Sequence, residues 1–347
     1  MAIFIVEGFN FADTAAEIGN GWGVNATPTI PSGGGRTYGN CLRCTQISST
    51  KVGVYKNLPA INTTNDGLSF GFDVKLEALG TAGPIRFMAV DVTTSAPGTN
   101  QCFALAVDTN GDVLVYGAGG SLRATLTVGV AAATWYHFEV VMQTSVSGVA
   151  NIYMDGIFVG SGSSIFDNGT SQHKLHLYKG ADHSTDQLAG KYVDFDNVYA
   201  DQVSGGTATA ALGRTVVKPL LATSGGVNSE WTGAFTDVDD PIGSSDGDTT
   251  YIDVNTPNKI SDFNVTDVET GVEVYAVKAH VEARKTNDES GSVRPIVLSS
   301  GTQGNGTDVP LTTSYVKSEA IFELNPATGT AWDVASANAM TIGVESR

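Results

Sequence analysis

Residues 135–160, WYHFEVVMQTSVSGVANIYMDGIFVG, contain three short runs of alternating residues separated by turns. A half-buried strand has a two-residue period, so alternate positions of the first run share one face. The apolar residues on that face would be Tyr136, Phe138, Val140 and Met142. Between the second and third runs, Asp155-Gly156 fits a type I′ hairpin turn, in which both central residues have positive φ. The stretch therefore predicts an antiparallel β-meander.

The composition indicates an all-β protein with room for two domains. The chain has 347 residues, of which 41% are hydrophobic and 16% charged, and 41 of them are glycine. The β-branched residues suit pleated sheets and glycine suits tight turns, whereas no window shows helical periodicity beyond two turns. A chain of this length can bury two separate cores.

The charge and the hydropathy pattern exclude two classes of partner. The net charge of −17 opposes binding to phosphate backbones, which depends on Lys and Arg. We therefore expect no nucleic-acid partner. No stretch approaches the roughly 18 apolar residues that cross a bilayer, and the apolar run before Glu7 is too short for a signal-peptide core. We expect no membrane insertion, and folding in a cytoplasm.

The cysteines and histidines suggest metal sites only by their spacing. Cys41 and Cys44 form a C-x-x-C motif, but zinc needs a second pair and only Cys102 remains. His173 and His176 lie in a predicted strand, where this spacing does not bring two imidazoles together as it does on a helix. We predict ordinary strand thiols and structural or surface histidines.

The acidic residues allow two interpretations. Asp194 and Asp196 share one face of a predicted strand, so they would either contribute to a Ca²⁺ site or form a solvated polar face, and we favour the solvated face. In the acidic stretch from Asp237 to Asp248, a calcium loop starting at Asp237 would need glycine where Ile242 stands. No nucleophile elbow or phosphate loop is present. We predict no catalytic, cofactor-binding or metal-binding residues, and thus a protein that is not an enzyme.

Two further segments are predicted to be strands. Residues 214–220 are predicted to form the final strand of the first domain. Residues 271–283, GVEVYAVKAHVEA, alternate over their whole length, and the predicted core face is the one that carries Glu273, Tyr275, Val277, Ala279 and Val281. A short helical turn is predicted around residues 13–19.

The meander and a later strand together resemble a known fold family. The pattern W-Y-x-x-E at residues 135–139, a hairpin ending in D-G, and D-F-D-N-V-Y at residues 194–199 are similar to concanavalin-like jelly rolls of the laminin-G and lectin type. The resemblance covers roughly the first 220 residues. It implies an antiparallel sandwich. A shared fold of this kind does not by itself imply a function.

Other motifs resemble structural proteins of tailed bacteriophages. They are V-E-G-F at residues 6–9, G-R-x-x-G-N-x-L-R at residues 35–43, LGRTVVKPLLATSGGVNSEWT at residues 212–232, and N-P-A-T-G-x-x-W at residues 325–332. The resemblance implies an all-β chain with two jelly-roll-like β-sandwich domains. Residues 1–222 would form the concanavalin/laminin-G-like domain and residues 223–347 the C-terminal sandwich.

The function implied by this resemblance is structural. We expect a non-enzymatic virion protein, assembled in the host cytoplasm as a tail-associated, fibre-like or capsid-decoration component. Its partners would be other virion proteins of the capsid or tail, and the chain would form a homo-oligomer. The alternative is a lectin-like module that contacts host or environmental glycans, with Tyr38, Tyr55, Tyr116 and Tyr178 as candidate stacking platforms.

Overall fold

The computed structural model describes residues 2–10, 22–45, 51–61, 66–81, 83–92, 101–145, 147–163, 173–181, 191–203, 206, 210–241 and 246–347. The predicted helical turn at residues 13–19 lies outside these ranges. The chain divides into two compact units, Met1–Val217 and Lys218–Arg347. The predicted domain boundary after residue 222 stays a prediction.

The first unit consists of two antiparallel sheets. Its strands are β1 (Ala2–Glu7), β2 (Trp22–Asn25), β3 (Leu42–Thr45), β4 (Val52–Asn57), β5 (Asp66–Leu76), β6 (Ile85–Val92), β7 (Gln101–Val107), β8 (Val113–Tyr116), β9 (Leu122–Leu126), β10 (Trp135–Thr144), β11 (Val149–Met154), β12 (Ile157–Ser163), β13 (His173–Ala181) and β14 (Tyr192–Val203). The first sheet has the order β1-β14-β5-β10-β11-β12, with β3 also paired to β14, and the second has the order β2-β4-β13-β6-β7-β8-β9. The predicted all-β, jelly-roll-like sandwich is confirmed.

The core lies between these two sheets. Phe70 and Phe72 of β5 and Phe138 of β10 are fully buried, in the same cluster as Phe87 of the second sheet. The rings of Phe72 and Phe87 are 6.1 Å apart across the sandwich. Burying each such side chain contributes about 1.5–3 kcal/mol. The predicted apolar face of β10 is therefore confirmed as the core face, and its opposite face points away from the core.

The hairpin between β11 and β12 has the predicted turn. Asp155 and Gly156 have φ values of 49° and 82°, which are the positive angles of a type I′ turn. Met154 and Ile157 pair directly on either side of it. This turn sets the register of the start of β12, the last strand of the first sheet, up to a bulge at Val159.

The second unit contains a six-stranded and a two-stranded sheet. Its elements are β15 (Ala222–Ser229), β16 (Ile260–Val265), β17 (Val277–Ala283), β18 (Ser292–Ser299), β19 (Thr302–Asn305), β20 (Val309–Pro310), β21 (Val316–Phe322), α1 (Val334–Asn338) and β22 (Thr341–Ser346). The larger sheet has the order β15-β16-β22-β18-β19, with β20 also paired to β18, and β17 pairs with β21. Buried Trp332 and Met340 belong to the core of this unit. Among the described residues, no helix has the length and apolar character needed to cross a membrane.

Two strand predictions are wrong. Residues 214–220 form no strand, because the backbone amide of Val217 donates to the side chain of Asn197 rather than to a strand partner. In the segment 271–283, only β17 is a strand. Its partner β21 ends at Phe322, which pairs with Val277, so the residues before Val277 have no strand to pair with.

Candidate functional site on the outer face of the first sheet

Three adjacent rows of side chains on the face of the first sheet that points away from the core form a candidate site. The first row crosses β3, β14, β5 and β10, where Arg43, Asp194, Lys75 and Trp135 lie opposite one another. Arg43 donates from Nε and Nη2 to the two oxygens of Asp194 at 2.7 and 2.9 Å. Lys75 Nζ lies 3.0 Å from Asp194 Oδ2. Asp194 is buried, and the two cations compensate its charge. The predicted solvated position of Asp194 is therefore wrong.

Aromatic rings flank the cations of this first row. The Arg43 guanidinium lies 3.6 Å from the centre of the Tyr192 ring. The ammonium of Lys75 lies 4.9 Å from the centre of the Trp135 ring. Both aromatic residues are half-buried. Cations above aromatic faces are attracted by the ring quadrupole, so this end of the face combines rings and positive charge.

The second row crosses β14, β5 and β10 with Asp196, Asp73 and His137. All three side chains are buried. His137 Nδ1 lies 2.9 Å from Asp73 Oδ1, and its backbone amide donates to Asp155 Oδ1 at 2.9 Å. Asn197 donates from Nδ2 to the other Asp73 oxygen at 2.7 Å. Both oxygens of Asp73 are therefore occupied by donors from neighbouring strands.

Arg36, from the loop before β3, covers the two aspartates of the second row. Its backbone amide donates to Asp196 Oδ2 at 2.8 Å and its Nη1 to Asp73 Oδ1 at 2.8 Å. Burial raises the pKa of Asp196 to about 7, although the backbone hydrogen bonds to its carboxylate lower the pKa. The negative charge of Asp73 raises it further. The predicted solvated position of Asp196 is also wrong, because this loop covers the carboxyl group.

The third row crosses β14, β5, β10, β11 and β12. Its residues are Tyr199, Gly71, Glu139, Tyr153 and Phe158. The Tyr199 hydroxyl donates to Glu139 Oε1, and burial raises the pKa of Tyr199. A Cβ atom on Gly71 would lie 1.9 Å from the Tyr199 ring. Only glycine leaves room for this contact. At the far end of the row, the rings of Tyr153 and Phe158 lie 5.5 Å apart.

Residues 210–217, which we call the strap, cover the third row. The backbone amides of Leu212 and Gly213 donate to the two oxygens of Glu139 at 2.7 and 2.9 Å. Arg214 donates to Thr37 Oγ1 at 3.2 Å. At the end of the strap, the amide of Val217 donates to Asn197 Oδ1 at 2.8 Å. The strap thus binds both to the sheet and to the loop that carries Arg36.

The histidines of the H-x-x-H motif lie in the second sheet. His173 and His176 are both buried, so of the two predicted positions, structural or surface, they occupy the interior. Burial, together with the charges of Lys174 and Lys51, lowers the pKa of His176 to about 3. The ring is therefore neutral at ordinary pH. His183 lies outside the described residues.

The remaining candidate metal ligands from the sequence are the three cysteines, Asp237 and Asp248. All three cysteines are described; they are buried and form no disulfide, and burial raises the pKa of the Cys41 and Cys44 thiols. Asp237 accepts from the amide of Ala234 at 2.8 Å, and Asp248 pairs with Arg284 at 2.9 Å. In the part of the chain that the structure describes, no group of three or more His, Cys, Asp or Glu side chains is arranged to hold a metal ion.

Two of the four tyrosines predicted as glycan platforms are unsuitable. Tyr116 and Tyr178 are buried and have no open face for a ligand. Tyr55 is half-buried, with Lys174 Nζ 4.2 Å from its ring centre. Tyr38 is half-buried in the covering loop. Sequence patterns did not identify the aromatic residues of the outer face, although Trp135 stands in the W-Y-x-x-E motif and Tyr192 in the strand of Asp194.

The fold and the site define an all-β protein built on a jelly-roll, lectin-like β-sandwich. No protein-family model matches the sequence, and no curated protein sequence matches it. Similar solved structures include an endo-beta-1,4-glucuronan lyase from the fungus Trichoderma reesei (12% identity over 59% of this chain and 96% of that chain, TM-score 0.43). The globular domain of T. cruzi calreticulin (10%, 58% and 88%, TM-score 0.40) and basic winged bean lectin with Tn-antigen (10%, 58% and 99%, TM-score 0.43) are also similar.

Proposed function

We propose that the protein is a non-enzymatic structural component of a tailed-phage virion that acts through protein–protein contacts. The observation that carries the proposal is the convergence of four sequence motifs on one polar network. The four motifs are residues 35–43, 135–139, 194–199 and the start of 212–232. In that order, they supply Arg36, Glu139, Asp196 and Gly213 to the outer face. Two of the four, residues 35–43 and 212–232, belong to the phage resemblance, and the hydrogen bond from Arg214 to Thr37 joins them in space.

The state of these polar groups supports a structural role rather than chemistry. Asp73, Asp194 and Glu139 each accept at least two hydrogen bonds or ion pairs from the chain itself. A catalytic carboxyl group must reach a substrate, whereas all three of these side chains are buried. Satisfied buried networks make a fold rigid and specify one arrangement.

A rigid fold with covered polar groups suits a component of a virus particle. Rigid, covered surfaces resist local opening, and repetition in a symmetric particle converts weak contacts into high avidity. The net charge of −17 favours solubility before assembly. We propose the virion as the location and capsid or tail proteins as the partners.

Particle composition tests this proposal. Phage particles from the source of the gene would be purified by density gradient, and their proteins quantified by mass spectrometry against the major capsid protein. We expect the chain at a fixed ratio that survives a second gradient. A chain that stays in the soluble fraction and is absent from the particles would refute the structural role.

A glycan-binding module is the second candidate, and one observation favours it. Trp135 and Tyr192 are half-buried at the first-row end of the outer face, with Lys75 and Arg43 beside their rings. Aromatic faces beside charged groups suit sugars that stack and hydrogen-bond. A glycan array probed with purified chain would test this candidate. Trp135→Ala should abolish any binding, and Tyr251→Ala, at an exposed aromatic residue of the second unit, should preserve it.

A further inference from the structure

One flank of the sandwich ends in two strands that lie side by side. β12 is the last strand of the first sheet and β9 is the last strand of the second. A Cβ atom on Gly160 of β12 would lie 2.5 Å from the Leu126 side chain of β9, and one on Gly162 would lie 3.5 Å from Cβ of Arg123. The two edges therefore meet on the same flank. Among the described residues, neither has a further strand beside it.

β12 carries none of the side chains that normally protect a sheet edge. Its sequence IFVGSGS has no charged residue and no proline, whereas edge strands are usually blocked by Lys, Pro or bulges. The bulge of the hairpin is on β12, where Val159 is the extra residue between the pairs Tyr153–Phe158 and Ile152–Gly160, and the pairing from Gly160 to Ser163 is regular. Ile157 and Phe158 are 69% and 54% exposed, and Leu122 of β9 is 53% exposed.

We propose that β12 pairs antiparallel with β12 of a second copy of this chain, joining two first sheets across a twofold axis. Charge complementarity favours this occupant. Asp155 precedes β12 at the hairpin turn, and the exposed residue Arg123 lies beside the other end of the strand, near Gly162. Antiparallel pairing sets the start of one strand beside the end of the other. In this dimer, Asp155 of each copy lies at the same end of the contact as Arg123 of the other copy.

The uncharged edge also explains why like-charged copies can meet there. Two chains of net charge −17 repel each other over most of their surfaces, but β12 adds no charge to the contact. A twofold interface uses the same patch twice, so one strand that complements itself is sufficient. The β12 dimer is one of the protein–protein contacts of the structural component proposed above, so it rests on the proposed function.

Two substitutions at Ser161, an exposed residue near the middle of β12, test the pairing. In Ser161→Lys, the twofold axis would bring two ammonium groups together. Ser229→Lys is the matched control, because Ser229 is an exposed serine on β15, the edge strand of the second unit. Mass would be measured by light scattering at about 10 µM chain, where a micromolar dimer is mostly assembled. We expect twice the chain mass for the native protein and Ser229→Lys, and a single chain mass for Ser161→Lys.

Disulfide trapping gives an independent measurement. The native cysteines are all buried, so Ser161→Cys would introduce an accessible thiol at the proposed axis. Mild oxidation should yield a covalent dimer for Ser161→Cys and little for Ser229→Cys. A native monomer, a Ser161→Lys dimer, or equal trapping at both positions would overturn the β12 pairing. A monomer that is nevertheless a stoichiometric particle component would leave the proposed function standing, whereas a β12 dimer absent from particles would refute that function alone.

Discussion

The ring of Tyr199 lies against Gly71, at the place where any other residue would put its Cβ atom. The two residues are paired across β14 and β5, and the contact allows the tyrosine hydroxyl to reach Glu139. One glycine therefore controls whether the third row can form.

Gly71→Ala should destabilise the first unit. The added methyl group would displace the Tyr199 ring, and overpacking of this kind costs about 1–3 kcal/mol. Urea unfolding would measure the loss in the free energy of unfolding. Gly225→Ala is the control, because Gly225 also lies in a strand and has no atom within 4 Å of the added Cβ. Equal stability of the native and Gly71→Ala proteins would contradict the close contact.

Glu139→Gln should loosen the strap. The glutamine keeps one acceptor oxygen but loses the charge that holds the amides of Leu212 and Gly213, and hydrogen bonds to charged groups contribute about 1.5–3 kcal/mol. Trypsin cleavage after Arg214, an exposed residue of the strap, should become roughly tenfold faster or more. Glu230→Gln, at an exposed residue of the second unit, should leave the cleavage rate unchanged. Identical rates in all three proteins would show that Glu139 does not hold the strap.

Asp196 should make the stability of the first unit depend on pH. Its pKa is raised from 3.8 to about 7 in the folded protein, so folding favours the protonated carboxyl group. The stabilisation is complete below pH 4 and is lost as the pH rises through 7, by an amount on the order of a few kcal/mol. Because other groups titrate as well, urea unfolding of the native protein and of Asp196→Asn should be compared from pH 4 to pH 8. The difference between the two should change with pH; parallel profiles would contradict the raised pKa.

Glu319 should give the second unit the opposite dependence. Burial alone would raise the pKa of Glu319, but the hydrogen bond to His280 and the charge of Lys278 outweigh it and lower the pKa to about 2. This stabilisation is present above pH 4.5 and is lost as the pH falls through 2. Glu319→Gln should therefore cost about 1–3 kcal/mol at pH 7 and nothing below pH 2. Glu282→Gln, at an exposed residue of the same two-stranded sheet, is the control, and an equal effect of both substitutions at pH 7 would refute the prediction.

The local pattern of the sequence predicted much of the first unit. The alternation in β10 identified Phe138 and Val140 as core residues, and Asp155-Gly156 identified the hairpin turn, because strand period and turn angles depend on neighbouring residues. The burial of Asp194 and Asp196 could not be predicted in this way. It depends on Arg43 and Lys75 for Asp194 and on Arg36 for Asp196, which are remote in the sequence and reach these carboxyl groups only in the folded chain.

The wrong strand predictions have a related cause. Residues 214–220 contain the β-branched run Thr215-Val216-Val217, but composition does not reveal whether a partner strand exists. The side chain of Asn197 accepts the hydrogen bond from the amide of Val217 instead. In the same way, residues 271–276 continue the pattern of β17 beyond the end of β21. A pattern of side chains predicts which face is apolar, and tertiary contacts decide whether the backbone pairs.

The position of the strap has a consequence for biosynthesis. A chain emerging from the ribosome can assemble both sheets of the first unit once β14 is out, because β1 and β14 pair with each other. At that moment Glu139 and Asn197 still lack the amides of Gly213 and Val217. The nascent protein thus passes through a stage in which its strands are complete but two buried polar side chains are open to water. Emergence of the fourteen residues that follow the end of β14 at Val203, up to Val217, ends this stage.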